Sequence, residues 1–159
     1  MQDSATSCRY IQVDFDRASQ AYSAIIGSKN QPKGRILVAE DDRIFAGILR
    51  DALIEEGYQV DIAHNGRESL RLIHQNKYDL ASMDIVMPYV GGVHAIIAME
   101  SVRPGIPVLV LSGNLDTETL SDLSLCSNVK GCLDKPVDIG QYMESVRAIV
   151  SSIRQKPRT

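Results

Sequence analysis

Five side chains in four separated stretches carry the residue types that phosphoryl chemistry needs: Glu40 and Asp41, then Asp84, then Ser112, then Lys135. Three carboxylates brought together repel one another, and a cation is the usual remedy. Their hard oxygens suit Mg²⁺ (or Mn²⁺), which keeps several waters and takes one or two carboxylates together with phosphate oxygens. Glu40 and Asp41 form an acidic pair able to serve such an ion directly or through water. Asp84 offers a third oxygen, and the backbone carbonyl of Val86 a fourth. A lysine facing this cluster either neutralises it or pairs with a phosphoryl oxygen as a point charge, and Ser112 can donate a hydrogen bond to another. A carboxylate can itself be the nucleophile and form an aspartyl phosphate, with the metal and Lys135 offsetting charge on the group in transit.

Each residue alone has a plainer reading. Asp84 could be a surface acid, Lys135 a solvated lysine, Ser112-Gly113 an ordinary turn, and Glu40 to Asp42 an acidic start to a helix dipole. Only their company favours chemistry. His64, His74 and His94 share no metal-ligand spacing and read as surface or packing residues. Met83, Met87 and Met99 read as core or loop filler, Tyr142 and Met143 as core or edge. Cys8, Cys126 and Cys132 have neither metal nor redox-motif spacing; Cys132, close to the candidate site, is expected to be a buried, inert thiol.

These residues acquire a common address only from the elements that carry them. Ile36 to Ala39 is a short apolar run ending in acids and reads as a buried strand. Ile44, Phe45, Ile48, Leu49, Ala52 and Leu53 mark an amphipathic helix, with Asp42 as N-cap and Gly57 as its stop. Strands are expected at Tyr58 to Ala63, Asp79 to Met83, Pro107 to Leu111 and Gly131 to Leu133. Between them come helices through Leu70 to Ile73, from Val93 to Met99, and from Thr117 to Leu123. A long final helix carries Ile139 through Ile153. Five alternating strands and helices imply an α/β fold with a parallel sheet covered on both faces. One common order for it is the flavodoxin-like 2-1-3-4-5, which places ligands at the carboxyl ends of the strands, at the switch point between strands 1 and 3. Every candidate residue follows or ends a strand.

At this point four blocks, ILVAEDD (Ile36 to Asp42), MDIVMP with a later glycine (Met83 to Pro88, Gly92), VLVLSG (Val108 to Gly113) and LDKP (Leu133 to Pro136), resemble the signature blocks of response-regulator receivers, in that family's order and spacing. The resemblance covers roughly Arg35 to Ile153. It implies a flavodoxin-like (βα)₅ doubly wound sheet of order 2-1-3-4-5. It implies Asp84 as phosphoacceptor, Glu40 and Asp41 as the acids serving Mg²⁺, and Val86 as the position lending a carbonyl to it. Ser112 resembles the switch hydroxyl, beside Gly113; Lys135 resembles the family's lysine, and Pro136 the proline after it, often joined by a cis bond. The implied phosphodonor is a sensor histidine kinase or a histidine phosphotransfer protein. The implied activity is a self-catalysed phosphorylation switch with weak autodephosphorylation, signalling to a protein partner as a monomer or a phosphorylation-dependent dimer.

The sequence departs from the family pattern in places. Cys132 stands where many relatives carry an aromatic switch residue, so the ring of the family's usual hydroxyl–ring coupling is missing at that position. Gly91 replaces a common acid. Val86 and Asn114 occupy positions that tune loss of phosphate, and an apolar Val86 cannot position an attacking water.

With 159 residues, 44% hydrophobic and 23% charged, the chain has the composition of one globular domain. Net charge of -3 argues against nucleic acid or an anionic membrane as direct partner. No apolar run spans a bilayer, no signal peptide opens the chain, and an odd, scattered cysteine count fits a reducing cytoplasm. A polar Gly- and Pro-containing stretch, Gly27 to Gly34, reads as a linker. The expected organisation is an extension over 1–33, a receiver domain over 34–155 and a tail over 156–159. In the extension, Phe15, Ala18, Tyr22, Ile25 and Ile26 fit one face of a short helix. Two other readings compete: a pseudo-receiver used only to bind protein, and a phosphohydrolase of the haloacid dehalogenase type. The latter needs a DxD motif at the end of strand 1, where this chain has Glu40-Asp41-Asp42.

Overall fold

Alternate residues of a strand face opposite sides of a sheet, and here both sides are buried. The computed structural model describes residues 31–113 and 116–154. In it β1 (Arg35–Ala39), β2 (Gln59–Ala63), β3 (Leu80–Asp84), β4 (Val108–Ser112) and β5 (Val129–Asp134) form one sheet. All pairings are parallel, as the alternation implies, and the order is β2-β1-β3-β4-β5, as the resemblance implies. The helices between them are α1 (Arg43–Glu55), α2 (Gly66–Gln75), α3 (Gly92–Val102), α4 (Thr117–Ser124) and α5 (Ile139–Arg154). No helix among the described residues is long and apolar enough to cross a membrane.

The two faces build two cores. Ile36, Val38, Leu80, Leu109 and Leu111 point toward Leu49 and Leu53 of α1 and Tyr142, Met143 and Val146 of α5. Leu37, Ala39, Ala81, Met83 and Val110 point the other way, toward Ile73 of α2, Ala95, Ile96 and Met99 of α3, and Leu123 of α4. Burial of the side chains at less than a tenth of their free exposure removes nearly all of this apolar surface from water, the main favourable term in folding.

Local signals place the ends. Asp42 caps α1, its carboxylate accepting from the N–H groups of Ile44 and Phe45 at 2.9 and 3.1 Å, and Gly57, with φ 95°, takes the left-handed turn past its end. Asn65 caps α2 by accepting from the Glu68 N–H at 2.8 Å, while the Glu68 carboxylate accepts from the His64 N–H at 2.9 Å. α3 has Gly91 at its N-cap and so no side-chain cap.

Several boundaries differ from the sequence expectation, β4 among them, which runs from Val108 to Ser112 rather than Pro107 to Leu111. β3 extends through Asp84, so the acid is the last residue of the strand itself. α3 runs from Gly92 to Val102 rather than Val93 to Met99. β5 runs from Val129 to Asp134, longer than Gly131 to Leu133. An edge strand covered on fewer sides needs no apolar run, so polarity hid its full length. The expected helix around Phe15 to Ile26, Cys8, Asn114 and the tail over 156–159 lie outside the described residues.

Candidate functional site

Parallel pairing sets the carboxyl ends of β1, β3, β4 and β5 along one rim. Ala39 pairs with Met83, Asp84 with Leu111 and Ser112 with Asp134. The residues just past those pairs are therefore neighbours, although up to 95 positions apart in sequence. Glu40, Asp41 and Asp84 converge: each can offer one carboxylate oxygen to a set lying within 4.8 Å of one another. Glu40 and Asp84 are buried and Asp41 is exposed, so the cluster has a dry base and an open lip.

Lys135 closes the base. Its ammonium donates to Glu40 Oε2 and to Asp84 Oδ2, each at 2.7 Å. Burial pushes the Glu40 carboxyl above its ordinary range; Lys135 opposes that and the neighbouring Asp84 charge adds to it. Burial also works against the Lys135 charge, but its bonds to Asp84 and Glu40 outweigh this and hold the ammonium above the usual lysine range. The charged amine is thus locked in place by two acids that need it. The second oxygen of Asp84, Oδ1, accepts from the Val86 N–H at 3.0 Å. Glu40 Oε1 accepts from the Asp42 N–H at 3.2 Å. Asp42 is committed to capping α1 and stays outside the acid cluster, as its sequence position suggested.

Ser112 is fully buried at the end of β4, and its carbonyl accepts from the Lys135 N–H at 2.7 Å. Gly113 follows it. The Lys135–Pro136 peptide is cis. Val86 is exposed, a bare apolar side chain at the lip. A cleft of ≈ 290 Å³ beside Lys135 is lined by Glu40, Asp42, Phe45, Lys135, Pro136 and Val137.

Cys132 corrects one expectation: it is exposed on β5, not buried. Exposure alternates along this edge strand, with Leu133 inward and Cys132 outward. Partial desolvation and the charge of Asp134 still hold its thiol above the ordinary cysteine range, so little of it is thiolate. His74 and His94 are exposed, and Met83, Met87 and Met99 are buried, in line with their plain readings.

Two neighbours of the site carry no signal in a linear reading. The Phe45 ring lies 5.4 Å from the Lys135 ammonium, within cation–π reach. The His64 ring Nδ1 lies 3.0 Å from the Glu40 carbonyl oxygen. The His64 contact becomes visible only once β1 is known to pair with β2.

As to chemistry, hard oxygens at the lip fit a small divalent cation, and an ammonium on a buried carboxylate fits an incoming phosphoryl group. Residues 36–147 match the response regulator receiver domain. The chain is 31% identical over 126 residues to the transcriptional regulatory protein PcoR of Escherichia coli, covering 79% of this chain and 55% of that protein. It is 32% identical over 116 residues to the response regulator MprA of Mycolicibacterium vanbaalenii, covering 73% and 50%. The chain thus spans about half the length of the curated relatives it matches. The crystal structure of a CheY-like receiver domain protein from Methanospirillum hungatei superposes with a TM-score of 0.73 at 26% identity, over 77% of this chain and 98% of that one. With five parallel strands in the order 2-1-3-4-5 and a receiver match across most of the described residues, the chain belongs to the response regulator receiver family of two-component signalling.

Proposed function

We propose that Asp84 accepts a phosphoryl group in a Mg²⁺-dependent reaction and that the modified domain signals to a protein partner. The observation that carries this reading is the Lys135 ammonium seated between Asp84 and Glu40 at 2.7 Å from each, with Asp41 beside them at the lip.

Within this reading Val86 N–H holds Oδ1 of Asp84, which orients Oδ2 as the attacking atom. An Oδ2–P bond forms as the P–N bond of a phosphohistidine donor breaks, and the electron pair of that bond leaves on the imidazole nitrogen. Lys135, already on Oδ2, moves to a phosphoryl oxygen with little rearrangement. Ser112 donates to another. Glu40, Asp41, Asp84 and the Val86 carbonyl would hold Mg²⁺, which, when bound, offsets charge on the phosphoryl oxygens. The donor class is a sensor histidine kinase or histidine phosphotransfer protein. The product adds nearly two negative charges and strong acceptors to a buried rim, enough to shift a two-state surface. The receiver unit is taken to run over 34–155.

The test is incubation with acetyl phosphate and MgCl₂, followed by mass spectrometry of the intact chain. Wild type should gain one phosphoryl group, and Asp84→Asn and wild type with excess chelator should gain none. Equal uptake by Asp84→Asn, or none by wild type, overturns the assignment.

A further inference from the structure

The two acids at the end of β1 differ in how they are held. Glu40 is fastened on every side: its N–H donates to the Ala63 carbonyl at 2.9 Å, and both carboxylate oxygens accept hydrogen bonds. Asp41 is exposed, and among the described residues nothing bonds its carboxylate. Yet it is one of the three acids that converge. Something other than its own side-chain contacts must aim it.

The Glu40 carbonyl belongs to the rigid peptide plane that joins Glu40 to Asp41. Whatever holds that oxygen sets the orientation of the Asp41 backbone. The β1–β2 pairing ends at Ala39 and Ala63. Continued parallel pairing would bring the Asn65 N–H to the Glu40 oxygen, but Asn65 has turned away to cap α2. The His64 ring stands in its place, with Nδ1 at 3.0 Å. A carbonyl only accepts, so Nδ1 carries the proton. The ring is mounted on a fixed base, because the His64 N–H is tied to Glu68 and Glu68 is tied to the Asn65 cap.

We propose that His64 is a positioning residue for the cation site: its ring N–H replaces the next rung of the β1–β2 ladder and, through the Glu40–Asp41 peptide, aims the Asp41 carboxylate. This rests on the Mg²⁺ reading above. It adds a residue that touches neither metal nor phosphoryl group, acting as outer partners of metal ligands do.

The test uses the full metal-free chain and MgCl₂ alone, read by titration calorimetry. His64→Leu keeps bulk but removes the donor; His64→Ala removes both. His64→Asn restores a donor, since its Nδ2 is as many bonds from Cα as the imidazole Nδ1. The Leu and Ala variants should bind Mg²⁺ roughly tenfold more weakly, and the Asn variant within about threefold of wild type. In nitrogen–proton spectra without metal, the Asp41 amide should move in the Leu variant and return in the Asn variant. Equal Mg²⁺ affinity in wild type, Leu and Ala overturns the role of His64, as does equal weakening by Leu and Asn. A wild type that takes no Mg²⁺ overturns the metal reading itself, a different failure.

Discussion

Gly92 and Asp84 approach so closely that a Cβ on the glycine would stand 2.1 Å from the Asp84 carbonyl oxygen. The atoms in the way are backbone, including the Ile85 Cα at 2.7 Å, so no side chain can swing aside. The glycine lets the first turn of α3 sit directly on the end of β3, with its N–H on the Ile85 carbonyl at 2.9 Å. A loop this tight fixes the position of the Asp84 backbone.

Gly92→Ala is therefore expected to cost about 1–3 kcal/mol through overpacking, and to reduce phosphate uptake by shifting Asp84. Gly47 is the control: it lies within α1 with nothing inside 4 Å of an added Cβ. Gly47→Ala should stabilise by about 0.5–1 kcal/mol through helix propensity alone. Urea unfolding of both variants checks the contrast, and a stable Gly92→Ala would refute the steric argument.

Lys135→Met removes the one cation that, among the described residues, is bonded to both Glu40 and Asp84. Their repulsion then goes unanswered, at a cost on the order of 2 kcal/mol at neutral pH, below the value for a fully buried pair because a quarter of the lysine side chain is exposed. Glu40 already has a raised pKa, so its ionised form is the strained one. Acid that protonates it should shrink the difference from wild type, and MgCl₂ should shrink it too. Melting curves against pH with and without MgCl₂ test both; a deficit that grows on acidification would contradict the account.

At the opposite end of the sheet Asp61 accepts from Arg35 Nε at 2.7 Å and from the Tyr78 hydroxyl at 2.8 Å. Burial alone would raise the Asp61 carboxyl, but these donors hold it below the ordinary aspartate range. The sign follows: the stabilisation is present above the unfolded-state pKa and is lost as pH falls through the lower folded-state value. Asp61→Asn should cost about 1 kcal/mol at pH 7, and the gap should close in strong acid. A pH-independent gap would place the effect in packing instead.

The Val86 side chain, exposed and apolar at the lip, offers no hydrogen bond to a hydrolytic water. The phosphorylated protein is expected to persist for minutes or longer in MgCl₂. Val86→Asn, which supplies one polar group there, should shorten its lifetime by roughly tenfold, the worth of about one hydrogen bond. Loss of label over time measures this, and a wild-type half-life of seconds would remove the role assigned to the valine.

Much of this was legible in the chain. Apolar runs such as Val108 to Leu111 and the spaced Phe45, Leu49 and Leu53 follow from local periodicity, because burial on a strand or helix face repeats every two or every three to four residues, although Ile44, which the same spacing suggested, is exposed. Asp42 as cap and Gly57 as stop need only neighbours in sequence. The four blocks at strand ends pointed to one rim, given the alternation. What only the tertiary structure decided depends on contacts between distant segments. Whether Lys135 meets both Glu40 and Asp84 is a matter of register between β1, β3 and the end of β5. The exposed Cys132 follows from which strand lies at the edge, and His64 joins the site because the β1–β2 ladder stops one rung short. Periodicity is a property of one segment, whereas a meeting of side chains requires several segments packed in register, and their neighbours along the chain carry no record of that.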